Sequence, residues 1–400
     1  MRGWLSSAVV AALAVTASAW AGSLADDFSS FIQVHTRARP GQTVADFVTP
    51  TIERIALRGL DFPTTSTTPG FTFRFDFTSG GFERLPGVTG PIFVERPETV
   101  GKGNLDLGLS FLWADSDRID GESSLGLIAG DLSVTPFGGN PPLDLVTLSI
   151  NKFALQHFIS SISATYGITD AWDVNFLLPL IQTTLSVAGT SVRSGTAPQS
   201  VGLDANAFGV GDLLIRTKVR FFDKPLGQLA AGLGIRCPTG SEADFHGLGD
   251  VVVTPFLTAG RSIGSNHLHM ALAIDANADD LQRSRIRYAG GASLHLLDDV
   301  SLLVDFLGSS AFTNEQFTLH STSPVILPPE TGVDIVDVRT TAAGQTVTAA
   351  VPRDDTLDIS VALKLAFLEH GAGYAGVIVP LTTDGLQPDV AVVWGLEYTF

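Results

Sequence analysis

The chain has one cysteine, Cys237, in 400 residues. A lone cysteine makes no intramolecular disulfide, so the fold carries no covalent staple. Basic residues are also scarce, 24 Lys and Arg against 41 Asp and Glu, for a formal charge of −17. Nucleic acid is thereby excluded as a partner, since binding it depends on Lys and Arg neutralising phosphates. After Gly22 there is no run of 18 or more apolar residues, which excludes a spanning helix. Yet 44% of the residues are hydrophobic. A chain this apolar without long apolar runs suits membrane strands in which lipid-facing residues alternate with lumen residues.

Both ends of the sequence support that reading. Met1 to Ala21 has a basic start (Arg2), an apolar run from Ala8 to Ala17 and a small-x-small site at Ala19-Trp20-Ala21, the pattern of a secretory signal peptide. No cysteine follows that site, so no lipoprotein anchor is expected. At the other end, Val390, Val392, Trp394, Leu396, Tyr398 and Phe400 alternate with Ala391, Val393, Gly395, Glu397 and Thr399. Period-2 alternation makes a strand with one apolar face. A last strand ending on an aromatic looks like the closing strand of an outer-membrane β-barrel. In such barrels Trp394, Leu396, Tyr398 and Phe400 would form the signal read by the insertion machinery.

From Gly103 onward about twelve alternating segments follow: 103–114, 144–167, 172–187, 209–222, 228–238, 250–262, 267–278, 284–297, 300–310, 355–368, 373–382 and 390–400. Each meets or exceeds the roughly 9–11 residues a tilted spanning strand needs. Short turns alternate with longer links at 115–143, 188–208, 239–249, 279–283, 311–354 and 383–389. That asymmetry, with both ends periplasmic, predicts an all-β fold: a transmembrane antiparallel barrel of about twelve strands over residues 103–400. Register follows from the charges. One face of 212–221 carries Leu213, Ile215, Thr217, Val219 and Phe221, the other Arg216, Lys218 and Arg220. A one-residue slip would put a basic side chain in lipid at about 2–4 kcal/mol near the midplane. Tyr166, Trp172, Phe221, Phe222, Tyr398 and Phe400 fall at one level, as an interfacial girdle should.

Residues 22–102 do not follow the barrel pattern. Thr43 to Leu60 has helical spacing interrupted by Pro50, and 71–77 is a Phe-rich alternating run with a turn at Ser79-Gly80-Gly81. The segment is expected to be a plug or periplasmic piece; the alternative adds its hairpin to the wall, making fourteen strands. Acidic loops such as Asp115-Ser116-Asp117 and Glu242-Ala243-Asp244 read as solvated, or as lying beneath cation-bridged lipopolysaccharide.

Four stretches carry a family resemblance. They are Gly209-Val210-Gly211-Asp212 continuing to Phe222, Leu229 to Gly240 ending Pro238-Thr239-Gly240, Phe245-His246-Gly247-Leu248-Gly249-Asp250, and Gly90 to Gly103 before the first strand. Together they resemble outer-membrane transporters named for the MetA pathway of phenol degradation, distantly similar to fatty-acid and aromatic-hydrocarbon channels. Relatives carry an acidic residue after Pro-Thr-Gly where this chain has Ser241. The resemblance implies passive uptake of small apolar or aromatic solutes, without cofactor.

The candidate lumen residues are Arg216, Lys218, Arg220, Arg236, His267, His269, Asp275, Arg285, Arg287, Asp305, Asp358 and Lys364, with Asp106 beside them. Their mixed charges either set a transverse field selecting permeants or pair across the interior. His267 and His269 share one face about 7 Å apart, but lack a clear third ligand, so no metal is expected. His320-Ser321 lacks the strand context of a nucleophile and base, and Gly209-Val210-Gly211-Asp212 lacks the Lys-Ser/Thr of a phosphate loop. No enzyme is expected. The expected partners are outer-membrane lipid and lipopolysaccharide, the insertion machinery and a small permeant; a structural or lipid-handling barrel without transport is the alternative.

Overall fold

The computed structural model describes residues 22–36, 54, 66–67, 73–76, 81–84, 92–121, 128–133, 144–193, 196–297, 299–320, 346–351, 353–367 and 370–400. The signal-peptide expectation and most of the helical spacing over 43–60 lie outside these residues.

Twelve strands close into an antiparallel barrel. In chain order the described strands are β1 (Phe73–Asp76), β2 (Gly81–Arg84), β3 (Leu105–Ile119), β4 (Ile128–Ser133), β5 (Asp144–Thr169), β6 (Trp172–Arg193), β7 (Gln199–Val210), β8 (Leu213–Lys224), β9 (Gly227–Cys237), β10 (Val252–Ile263), β11 (Asn266–Asn277), β12 (Arg285–Leu297), β13 (Val300–Ala311), β14 (Glu315–His320), β15 (Thr346–Val351), β16 (Asp355–Phe367), β17 (Gly371–Pro380) and β18 (Leu386–Thr399). The wall runs β3-β18-β17-β16-β13-β12-β11-β10-β9-β8-β6-β5 and closes where β5 pairs with β3. Closure gives each of the twelve strands a partner on both sides, as a bilayer demands because it offers no water to bare backbone groups. The hairpin β1–β2 forms its own two-stranded sheet, so the fourteen-strand alternative is overturned.

The alternation read from the sequence sets the faces. Leu107, Leu109, Trp113, Phe176, Leu233, Leu272, Leu363 and Leu396 are exposed on the outside, while Asp106, Asn175, Lys218, Asp305 and Lys364 are buried within. An apolar belt of this extent requires lipid around it. This barrel is an outer-membrane protein of a Gram-negative bacterium.

The belt has an upper limit. Trp113, Phe158, Gln182 and Phe208 form one cross-strand row. Above it the outward positions turn polar: Asp115 on β3, Gln156 on β5, Thr184 and Ser186 on β6, Asn206 and Asp204 on β7. Just below it Phe111 and Trp394 cluster with Phe158 of the row, with ring centroids 5.6–6.1 Å apart. At the opposite level, Trp172 Nε1 donates to Thr217 Oγ1 at 2.7 Å, and Tyr398 meets Phe400 edge-on at 4.7 Å.

Three predicted links turn out to contain strand. The link 188–208 is largely the continuation of β6 and the whole upper part of β7; residues 115–143 include the end of β3 and β4; residues 311–354 include the β14–β15 hairpin. The predicted strand 209–222 begins instead at Gln199 and breaks at Gly211-Asp212. Over β7 and the end of β6 the outward side is polar because it stands above the lipid, and a polar strand without lipid contact reads as a loop.

A helix, α1 (Leu24–Thr36), packs against β4, β5, β6 and β7. Leu24, Ala25, Phe28, Phe31 and Ile32 are buried, with Phe28 edge-on to Phe153 at 5.7 Å. Ser23 caps it: its Oγ accepts from Asp26 N, and the Asp26 carboxylate accepts from Ser23 N, a capping box with Asp in place of Glu.

Candidate functional site

The lumen is crossed by its own chain. Residues 92–100 run inside the barrel toward β3. Ile92, Phe93 and Val94 are buried against Leu112, Leu303, Leu307, Tyr374, Ile378 and Val393 from across the wall. Below them Glu95 accepts from Lys218 Nζ at 2.7 Å, with Arg216 Nη1 3.8 Å away. Lys218 Nζ also donates to the Arg96 carbonyl at 2.8 Å and to Thr67 Oγ1 at 3.1 Å. Thr258 Oγ1 donates to the Glu95 carbonyl at 2.6 Å. Burial would raise the Glu95 carboxyl, but Lys218 and Arg216 overcome it and hold it at about 2. The strap then reaches the periplasmic turn, where Thr99 Oγ1 donates to the Asp170 carbonyl at 2.7 Å. Gly167 is required there: a Cβ would lie 1.8 Å from the Gly101 carbonyl oxygen.

The predicted lumen residues mostly pair. Arg216 also donates to Asn175 Oδ1 at 2.9 Å and 3.1 Å, and Arg287 bonds to Asp275, which accepts from Thr254 Oγ1 at 2.7 Å. His269 Nε2 lies 2.9 Å from Asp305 Oδ1 across β12, passing over Gly291. Lys364 Nζ donates to Glu397 at 2.8 Å and sits 5.7 Å from the Tyr374 ring centroid, while Asp106 accepts from Thr399 Oγ1 at 2.7 Å. His267 Nδ1 is 3.1 Å from Ser262 Oγ. Arg236, Arg285 and Asp358 line lumen cavities with Asp275 and Arg287. Arg220 lies lower, at a bulge on the rim, donating to the Asp170 carbonyl at 2.9 Å. The charges are therefore brought together in local pairs around the strap. Trp394, Leu396, Tyr398 and Phe400 all face outward.

The wall changes character at Gly211-Asp212. β7 and β8 descend along the same neighbour, β6, pairing Val210 with Leu180 and Leu214 with Leu177, which leaves one extra residue between them. A bulge of this kind interrupts a ladder and bends the strand. The two motifs noted in the sequence meet here. Thr239 Oγ1 accepts from Leu213 N at 2.9 Å and donates to the Gly211 carbonyl at 2.7 Å. Asp212 accepts from Gly240 N at 3.0 Å and Leu248 N at 2.8 Å. They fold the 238–251 link inward. A Cβ at Gly209 would lie 2.7 Å from His246 Nδ1, so glycine lets the loop press against the wall. Above the break β7 pairs only with β6 among the described residues, since β9 ends at Cys237 opposite Leu213.

Beside the break lies a cavity of about 100 Å³ bounded by Phe93, Leu112, Ile159, Leu177, Pro179, Ile181, Leu214 and Val393, with Ser110, Ser161, Asp212, Arg236 and His246 at its polar side. A second, of about 160 Å³, lies across Phe93 against β8 to β13. Phe93 borders both. Sequence reasoning did not single out Glu95, Asp212, His246 or Glu397. The first three stand inside quoted motifs, and only their position against the wall gives them a role.

No protein-family model matches the sequence, and no curated protein matches it. Among solved structures, an outer membrane channel from Pseudomonas putida F1 is 12% identical, with a TM-score of 0.45, covering 76% of this chain and 98% of that one. The translocator domain of the autotransporter NalP from Neisseria meningitidis is 8% identical, TM-score 0.35, covering 75% and 89%. A Pseudomonas aeruginosa FadL homologue is 7% identical, TM-score 0.33, covering 76% and 92%.

Proposed function

We propose that this barrel is a channel for passive uptake of small apolar solutes, and that residues 22–102 act as its plug. One observation carries the reading: the middle of the lumen is filled by Ile92, Phe93 and Val94, while an apolar cavity sits beside an interrupted wall. An open water-filled pore would need a polar, unobstructed axis. An apolar solute instead gains by leaving water for the cavity, at about 25 cal/mol per Å² of apolar surface buried. The bulge at Gly211-Asp212 lies in the upper half of the lipid-facing belt, opposite Pro179, so a solute dissolved in the outer leaflet has a sideways path to it. In this reading a leader over 1–21 directs export, and the insertion machinery reads the strand ending at Phe400.

The test is uptake of a radiolabelled apolar solute by Gram-negative cells expressing the protein, beside single-channel conductance of the purified barrel. Uptake above that of cells lacking the protein, with low ionic conductance, is expected. No uptake, together with no flux from either the full-length protein or one lacking residues 22–70, would reject a channel and favour a structural barrel.

A further inference from the structure

The cavity beside the wall break is apolar except at one side, where Ser110, Ser161, Asp212, Arg236 and a buried imidazole, His246, line it. His246 is 4% exposed. Its Nδ1 faces the wall, close to where a Gly209 Cβ would stand, and the ring makes a hydrogen bond to the Ala207 backbone carbonyl. Nε2 has no hydrogen-bond partner among the described residues, so that bond is made by Nδ1, which carries the proton, and Nε2 is the acceptor. Burial lowers the His246 pKa, partly opposed by Asp244 and the Ala207 bond, so the ring is neutral at pH 7. A buried acceptor left without a donor costs free energy that a ligand's O–H or N–H would recover.

We propose that His246 is a specificity residue, and that the cavity takes small apolar solutes bearing a single hydrogen-bond donor, an alcohol in preference to its hydrocarbon isostere. The inference rests on the reading of this cavity as the solute site and adds the polar group the solute carries. The cavity is about 100 Å³, of the order of the roughly 150 Å³ apolar void that accepts one benzene-sized ring. Among its lining groups Asp212 already has both oxygens engaged by Gly240 N and Leu248 N. It is thus not the group that waits for a donor. His246 is.

The test uses the purified full chain in detergent and two probes of nearly equal size, cyclohexanol and methylcyclohexane, titrated calorimetrically against protein-free micelles. A neutral hydrogen bond to an otherwise unpaired acceptor corresponds to about tenfold in affinity. The alcohol should bind about tenfold more tightly than the hydrocarbon. In His246→Phe that ratio should fall close to one, and in His246→Gln, whose amide reaches the place of Nε2, part of it should return. Equal affinities in the wild type, or an undiminished ratio in His246→Phe, would overturn the specificity role while leaving the cavity as a solute site. Binding of neither probe would overturn the cavity reading and the inference with it. The wild-type ratio decides the matter even where phenylalanine is not accommodated.

Discussion

Removing the Glu95 carboxylate should loosen the strap by an amount the structure lets us work out. The Lys218 side chain is 0% exposed and Glu95 12%, so Glu95→Ala leaves a buried ammonium without its counter-charge. Breaking a buried ion pair from one side costs about 3–5 kcal/mol. The apolar anchor is separate: Ile92, Phe93 and Val94 together contribute roughly 5–8 kcal/mol of burial. Glu95→Ala alone should therefore not empty the lumen. It should raise the population of unseated straps about 100- to 4,000-fold, at 1.4 kcal/mol per tenfold, seen as brief openings in planar-bilayer recordings. Adding Phe93→Ala, worth about 3–5 kcal/mol in a packed core, should give sustained openings. Removing both charges with Glu95→Gln and Lys218→Met should restore much of the closure, because the ammonium leaves with its counter-charge and Arg216 keeps its hydrogen bonds to Asn175. If Glu95→Ala and the Phe93 double variant are as silent as the wild type, the ion pair does not hold the strap.

The same pair has a signed pH dependence. A carboxyl lowered from 4.5 to about 2 contributes stability fully present above pH 4.5 and lost as pH falls toward 2; conductance should stay flat from pH 7 to 5 and rise only below about pH 4. Gly291→Val should disturb the His269–Asp305 contact, since a Cβ there would lie 2.1 Å from Asp305 Oδ1 and 2.6 Å from the Val304 carbonyl oxygen. A loss of about 1–3 kcal/mol is expected, read as a lower temperature for the unfolding shift on an unboiled gel; an unchanged temperature would contradict it. Leu363, exposed on the outer face in the middle of β16, should tolerate Arg poorly, at about 2–4 kcal/mol. Denaturant titration in lipid vesicles measures that cost, and a neutral result would mean the outer face is not in lipid.

Much of this was legible because a lipid-facing strand writes its faces into the sequence. β18 shows it best: six apolar or aromatic residues alternate with Ala391, Val393, Gly395, Glu397 and Thr399, and the exposed face is the apolar one. The rule fails where lipid ends. Gln199 to Ala207 alternates Ser200, Gly202, Asp204 and Asn206 on its outer side, and no local signal separates such a strand from a loop. Helix α1 was legible in principle from Leu24, Phe28, Phe31 and Ile32 behind a Ser23 cap, but it lies beside the expected leader, where apolar spacing is discounted. The site was less legible. Arg216 and Lys218 were readable as inward charges, yet their partner Glu95 comes from a segment more than a hundred residues away. His246 gains its meaning only from Gly209 and Ala207, which the chain order does not bring near it.

The arrangement of the two faces of the wall is open to one direct measurement. In a Cys237→Ser background, single cysteines at 390 to 400 carry nitroxide labels in reconstituted bilayers, and their collision with dissolved oxygen is recorded. High accessibility at Val392, Trp394, Leu396 and Tyr398, alternating with low values at Val393, Gly395 and Glu397, is the predicted result. A flat profile, or one with the maxima at the odd positions, would contradict a barrel built with this side toward lipid.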